Sequence, residues 1–293
     1  IEHGQLWGRG AADMKGGIAA FVGGVSAFLN SVKTFDGSIS FLITGDEEGP
    51  AINGTKKVLE AITAAGEVID HCLVGEPTNP NTLGEMVKIG RRGSLNGFIR
   101  CIGTQGHVAY PDLANNPVPV LVKLLARLAE KHLDDGNDNF QPSNLEITSI
   151  DVGNTADNVI AGRATAKFNI RYNTEHTGDE LRAWIRQEID TVSQGFAGTI
   201  EADIAVPGNP FLTKPCGLTD KLSAAIRDVT GHMPKLSTSG GTSDARFITH
   251  YAPVVEFGLV GASIHKVNEH AAVDDINNLT QIYAKFLHRY FGS

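Results

Sequence analysis

Acidic side chains recur in this chain at the ends of short apolar runs and glycine-rich turns, and that placement limits what it can fold into. Asp13 closes Gly8-Arg9-Gly10-Ala11-Ala12, the triplet Asp46-Glu47-Glu48 follows Ile39-Ser40-Phe41-Leu42-Ile43-Thr44-Gly45, and Glu76 stands between Leu73-Val74-Gly75 and Pro77. Short apolar runs bounded by turn residues read as buried strands, and ligands of open α/β sheets gather beyond the carboxyl ends of the strands. Carboxylates collected there repel one another unless a cation lies among them. The pattern therefore points to a metal before any substrate is considered.

The 293 residues correspond to about two domains. With 41% hydrophobic and 20% charged residues, the chain can bury a substantial core. The formal charge of −8, with no Lys/Arg run interleaved with aromatics, argues against a nucleic-acid partner. Cys72, Cys101 and Cys216 are widely spaced and form no Cys-x-x-Cys pair, which excludes a cysteine-rich zinc site and points to a reducing cytoplasm. Residues 16–32 are too short and glycine-rich for a membrane span, and no basic leader precedes them, so neither membrane nor secretion is expected. The start at Ile1 rather than Met, on a loop-like Glu2-His3-Gly4-Gln5, creates the expectation of a preceding segment.

Periodicity predicts a helix over 14–29, capped by Asp13 or its neighbours, a buried strand over 37–44, a helix over 54–65 and a second buried strand over 71–75. This alternation implies a mostly parallel sheet covered by helices. The pattern changes near Gly93: strands over 94–103, 145–152, 159–172 and 199–206 and helices over 117–132 and 178–192 follow the β-α-β-β-α-β order of a ferredoxin-like unit. Helix–strand alternation then returns, with a helix over 218–229, a strand over 235–239, a helix from Thr242, a strand over 253–258 and a helix over 274–290. The expected organisation is an α/β catalytic domain with a mixed sheet, split into 1–93 and 208–293, and an α+β domain inserted over 94–207.

Taken alone, Asp13 reads as a helix N-cap, but a carboxylate can also bridge two metal ions. Glu47 and Glu48 are adjacent, so on an extended backbone they point to opposite sides and divide two tasks: Glu48 as a ligand and Glu47 as general base toward a water. Glu76 is held extended by Pro77 and is a further ligand candidate. His265 is the histidine candidate, with His270 as a rival that spacing alone does not eliminate. His107 reads as a loop residue unless it reaches a metal centre. The Ser239-Gly240-Gly241-Thr242-Ser243-Asp244 turn offers backbone N–H groups at a helix start, suited to a carboxylate, or is simply a capped turn.

Together these motifs resemble the metal-dependent aminoacylase and carboxypeptidase family over essentially the whole chain. The resemblance also rests on Lys88-Ile89-Gly90-Arg91-Arg92-Gly93-Ser94, Gly106-His107-Val108-Ala109-Tyr110-Pro111 and Ile264-His265-Lys266-Val267-Asn268-Glu269. It implies a zinc-peptidase-like catalytic domain with an inserted dimerisation (lid) domain, a homodimer, and two Zn2+ per subunit in the complete enzyme, with Co2+ as a substitute. Asp13 would bridge the ions, Glu48 and His265 would hold one, and Glu76 the other. Glu47 would be the acid/base, and His107 would act from the partner subunit on the oxyanion. Lys88, Arg91, Tyr110, Asn158, Arg171 and Thr242 would hold a small dicarboxylate amide, a succinylated diamino acid, with deacetylation of an acetylated amino acid or a small carboxypeptidase activity as the alternatives. The family also carries a His-x-Asp motif upstream of the bridging aspartate, and none precedes Asp13 here, which leaves one metal short of a ligand. A non-catalytic dimerisation or binding module is the reading from outside the enzyme class.

Overall fold

The computed structural model describes residues 1–49 and 51–292. The chain divides into two compact units, Ile1–Arg91 with Leu212–Ser293, and Arg92–Phe211. The first is an α/β unit. Its four-stranded sheet has the order Lys235–Ser237, Met86–Lys88, Val254–Glu256, Cys72–Val74. The two outer pairs are parallel and the central pair antiparallel, so the sheet is mixed, with parallel pairs in the majority. A separate antiparallel pair joins Gln5–Trp7 to His270–Ala272.

The helices Gly16–Ser31 and Val273–Phe291 pack side by side because the first is lined with small residues. A Cβ on Gly24 would lie 2.8 Å from the Tyr283 Cβ, and Phe21 stacks on the Tyr283 ring with centroids 3.9 Å apart. The Tyr283 hydroxyl, buried in this contact, donates to the Phe257 carbonyl at 2.6 Å, so helix and sheet are tied by a satisfied polar group. Ala11–Ser31 is, among the described residues, the helical stretch long and apolar enough to cross a membrane by length and composition. Here its Ala20 and Phe28 are fully buried in the protein.

Three expectations for this unit are corrected. Residues 37–44 form no strand: among the described residues they pair with no ladder, and Phe41 and Ile43 remain 45% and 62% exposed. An apolar run becomes a strand only when its backbone groups find partners. The strand expected over 71–75 is Cys72–Val74 and only half-buried. The helix expected from Thr242 is the four-residue Ala245–Ile248, because the preceding backbone and hydroxyls serve other partners.

The second unit is a ferredoxin-like α+β arrangement. Its antiparallel strands lie in the order Thr199–Gly208, Gly93–Ile102, Arg163–Tyr172, Asn144–Asp151. Ala164, Ala166, Phe168, Ile170 and Tyr172 alternate onto the buried face, as a one-sided sheet requires. The helices Pro117–Glu130 and Gly178–Ser193 supply Leu121, Leu124, Leu128, Leu181 and Ile185 to the same core. Asn116 accepts from the Val118 N–H at the first helix start, and Thr177 with Glu180 forms a capping box at the second.

The connection after Glu130 is held by Asp134, whose carboxylate accepts from the Gly136 and Ser143 N–H groups, the Asn173 amide at 2.7 Å and His176 Nε2. Burial pushes this carboxyl up, but the hydrogen bonds from Ser143, Gly136 and Asn173 outweigh it and lower it to about 2. A folded value below the ordinary 3.8 means the stabilisation is complete above about pH 4 and is lost as pH falls toward 2. Asp134→Asn is expected to lower stability by about 2 kcal/mol near neutrality, with the deficit shrinking below about pH 4. Urea unfolding of both proteins across that range measures it, and a pH-independent gap would contradict the assignment.

Candidate metal centre

The turn carrying Asp13 is irregular. Gly10 adopts a left-handed backbone (φ 82°), which the absence of a Cβ permits, and Asp13 and Met14 have non-helical dihedrals within Ala11–Lys15. The helix proper begins at Gly16 with no side-chain cap, so Asp13 is not the N-cap its position suggested. Its carboxylate instead lies 3.3 Å from His265 Nε2. Burial and the neighbouring Glu48 charge raise the Asp13 carboxyl above its ordinary value.

The triplet divides as adjacency dictates. Asp46 has a left-handed backbone (φ 65°) and accepts from the Ile52 N–H at 2.9 Å, which organises the turn itself. Glu48 Oε1 lies 2.9 Å from His265 Nε2. Glu47 is outside that contact. Burial first, then the negative charges of Asp244 and Glu48, raise its carboxyl to about 7 in the metal-free chain, with Arg246 opposing. A carboxyl of that strength both accepts and gives up a proton near neutrality.

His265 takes a left-handed backbone (φ 59°), uncommon outside glycine and concentrated at functional sites. The Glu48 charge raises its imidazole above the ordinary value. Asp13, Glu48 and His265 each present a ligand atom, all within 4.8 Å of one another. Two carboxylate oxygens around one borderline nitrogen fit a divalent cation such as Zn2+ or Co2+. His270, the rival, is turned away: its Nδ1 contacts the Asn268 carbonyl at 2.8 Å and its ring lies against Trp7.

Glu76 is not in that triad. It follows the strand Cys72–Val74 and is kept close to the neighbouring strand end by Gly258, where any Cβ would collide with the Gly75 and Glu76 carbonyls. Burial raises the Glu76 carboxyl to about 8, and the charges of Glu256, Asp13 and Glu47 add to it. A half-buried acid within the field of three others stands where a second cation would relieve it.

The candidates for substrate contact fall in both units. Lys88 donates to Ser239 Oγ at 2.8 Å, and burial with the Arg91 charge lowers its ammonium to about 8. Arg91 is already committed: Nε and Nη2 donate to the buried Glu256 and Nη1 to the Gly241 carbonyl at 3.0 Å. Ser243 Oγ donates to the same Glu256 at 2.5 Å, and Thr242 accepts weakly from Arg246 at 3.4 Å. The glycine-rich turn is thus braced from beneath, and Arg91 is as much its strut as a free fork. In the second unit, pairing of Gly106–His107 with Val159–Ile160 brings His107 Nε2 to 3.5 Å from the Asn158 amide, with the Tyr110 ring 5.9 Å from that of His107. His107 Nδ1 accepts from the Ala109 N–H at 3.1 Å. Arg171 faces Ser94 and Asn144 across the sheet, outside this cluster.

Motif reading assigned no individual role to three acids, two of which close quoted motifs. Glu256 interrupts the apolar run Val254-Val255-Glu256-Phe257, and a charge inside a buried strand signals a buried partner. Asp244, whose Oδ2 accepts from Thr55 at 2.6 Å, and Glu269, which accepts from the Asp13 turn, carried no such signal.

Residues 1–289 match the profile of the Peptidase family M20/M25/M40. The chain is 57% identical over 293 residues to a protein of Caulobacter sp. (strain K31) named succinyl-diaminopimelate desuccinylase, covering 100% of this chain and 75% of that one. Its fold is similar to that of an M20 family metallo-carboxypeptidase of Sulfolobus solfataricus, with a TM-score of 0.81 at 18% identity, covering 100% of this chain and 79% of the other. It is also similar to a dinuclear metal-binding M20 peptidase of Bacillus subtilis, with a TM-score of 0.66 at 16% identity over 94% of this chain and 72% of the other. With the profile spanning nearly every residue, the chain belongs to the peptidase family M20/M25/M40.

Proposed function

We propose that this chain is a metal-dependent amidohydrolase that cleaves N-succinyl-L,L-2,6-diaminopimelate to succinate and L,L-diaminopimelate, a step of lysine and diaminopimelate biosynthesis. The observation that carries the reading is the convergence of Asp13, Glu48 and His265 with Glu47, a carboxyl near neutrality, beside them. The name borne by the Caulobacter relative at 57% identity supports the substrate. Zinc is the proposed ion; Asp13, Glu48 and His265 would hold it, and Asp13 with Glu76 would contribute to a second. A divalent ion held there supplies Lewis acidity and lowers the pKa of water.

Glu47 does the proton work. It takes a proton from the attacking water as the water oxygen bonds to the amide carbon, then delivers it to the amine nitrogen as the C–N bond breaks. His107 steadies the developing oxyanion from the partner subunit of a homodimer. Lys88, Tyr110, Asn158, Arg171 and Thr242 contact the carboxylate-bearing ends of the substrate, and Arg91 supports that binding through the glycine-rich turn. The dimer reading is supported by the second unit's sheet edge. Asn144–Asp151 is an outer strand with Ile150 56% exposed, and unpaired edges are prone to pairing with another chain.

Parallel assays with succinylated and acetylated amino acids test the substrate. At least about 100-fold higher kcat/KM is expected for the succinylated diamino acid, since a site that pairs a second carboxylate rejects analogues lacking it. A preference for the acetylated compound would move the assignment to the deacetylase alternative. The in-trans role is tested by mixing two inactive variants, Glu47→Gln and His107→Ala. Regain of activity on subunit exchange is expected, and none would return His107 to a local role.

A further inference from the structure

We propose that Glu269 is a positioning residue that sets the Asp13 carboxylate toward His265, an inference that rests on the metal-centre reading above. Glu269 is 2% exposed. Its Oε1 accepts from the Ala12 N–H at 3.1 Å and the Asp13 N–H at 3.0 Å, and its Oε2 from the Gly10 N–H at 2.9 Å and Arg9 Nη1 at 3.4 Å. One side chain therefore serves three backbone donors of a turn that leaves helical geometry at Asp13 and Met14.

Those donors need it. Ala11 and Ala12 are buried, so N–H groups here have no water to turn to, and an unpaired buried donor is costly. Successive N–H groups converging on one anion fix the peptide planes, and with them the direction in which the Asp13 side chain leaves the backbone.

Glu269 is also anchored on the His265 side. It lies four residues beyond that histidine, its carbonyl accepts from the Gly8 N–H at 3.0 Å, and the next residue, His270, exchanges hydrogen bonds with Ser263 at both its N–H and its carbonyl. The segment carrying Asp13 and the segment carrying His265 are thus locked through this carboxylate. A glutamine of the same size could keep its carbonyl oxygen on Ala12 and Asp13. It would then present its NH2 to the Gly10 N–H and to Arg9, donor against donor.

The test is Co2+ affinity of the full chain, read from the cobalt absorption bands in competition with a chelator, with far-UV circular dichroism of the metal-free proteins alongside. Glu269→Gln and Glu269→Asp are each expected to fold and to bind Co2+ at least about tenfold more weakly, the loss that follows when a group supporting a metal ligand is altered. Arg9→Ala, which removes only the exposed contact, is expected to stay within about twofold, also by that scale. Less than tenfold weakening in the Gln variant, an Arg9→Ala loss as large as that of the Gln variant, or failure of both Glu269 variants to fold would overturn the positioning role. If the unaltered chain binds no Co2+, the metal reading itself fails and this inference goes with it.

Discussion

Glu47→Gln is expected to lower kcat on the succinylated substrate by about 10³-fold while leaving metal affinity within a few-fold, the range for loss of a positioned acid/base. The expectation follows from the separation of the two neighbouring glutamates. Glu48 touches His265 at 2.9 Å, whereas Glu47 stays outside the three-residue cluster and is raised to about 7 by burial and by Asp244 and Glu48. An amide in its place preserves shape but neither accepts nor delivers a proton. Steady-state kinetics with metal analysis of the same samples decides the matter. A variant retaining more than a tenth of the activity would remove Glu47 from the chemistry, and one that loses its metal would reassign it as a ligand.

Asp13→Ala is expected to have the larger effect on the ion itself. Asp13 is the half-buried carboxylate of the triad and lies within the field of both Glu48 and Glu76. Its removal is expected to weaken metal binding by more than about 100-fold, beyond what loss of a group merely supporting a ligand costs, and to abolish turnover with it. Metal-free stability is expected to hold or rise, because the carboxylate removed is one whose charge raises the Glu47 and Glu76 carboxyls. Thermal unfolding with and without chelator separates these outcomes. An Asp13→Ala protein that keeps its metal, or that unfolds irrespective of metal, would contradict the account.

The cluster was legible in the sequence because its members are acids and a histidine, side chains that share one chemistry. Acids after a glycine-rich turn and an apolar run pointed to Asp13 and Glu48, and Pro77 predicted extended backbone at Glu76. The choice between His265 and His270 was not legible, because it rests on a left-handed backbone at one and on local partners at the other. In the fold, Trp7 and the Asn268 carbonyl take His270. The ferredoxin-like unit was readable from strand alternation and two amphipathic helices.

What the sequence hid has a common cause: it depends on backbone groups and their partners. Residues 37–44 carry the composition of a strand but pair with no ladder among the described residues. The two- and three-residue strands are too short for any periodic signal. The helix expected from Thr242 is displaced because the Gly241 carbonyl and Ser243 hydroxyl are engaged by Arg91 and Glu256. Glu269 reads as one more acid after a histidine motif until the three N–H groups it receives are counted.

Anomalous diffraction from crystals of the metal-loaded protein tests the central claim most directly. The account predicts a metal peak within coordination distance of Asp13, Glu48 and His265 together. A peak elsewhere on the chain, or a triad still closed on itself through His265 at saturating metal, would contradict it.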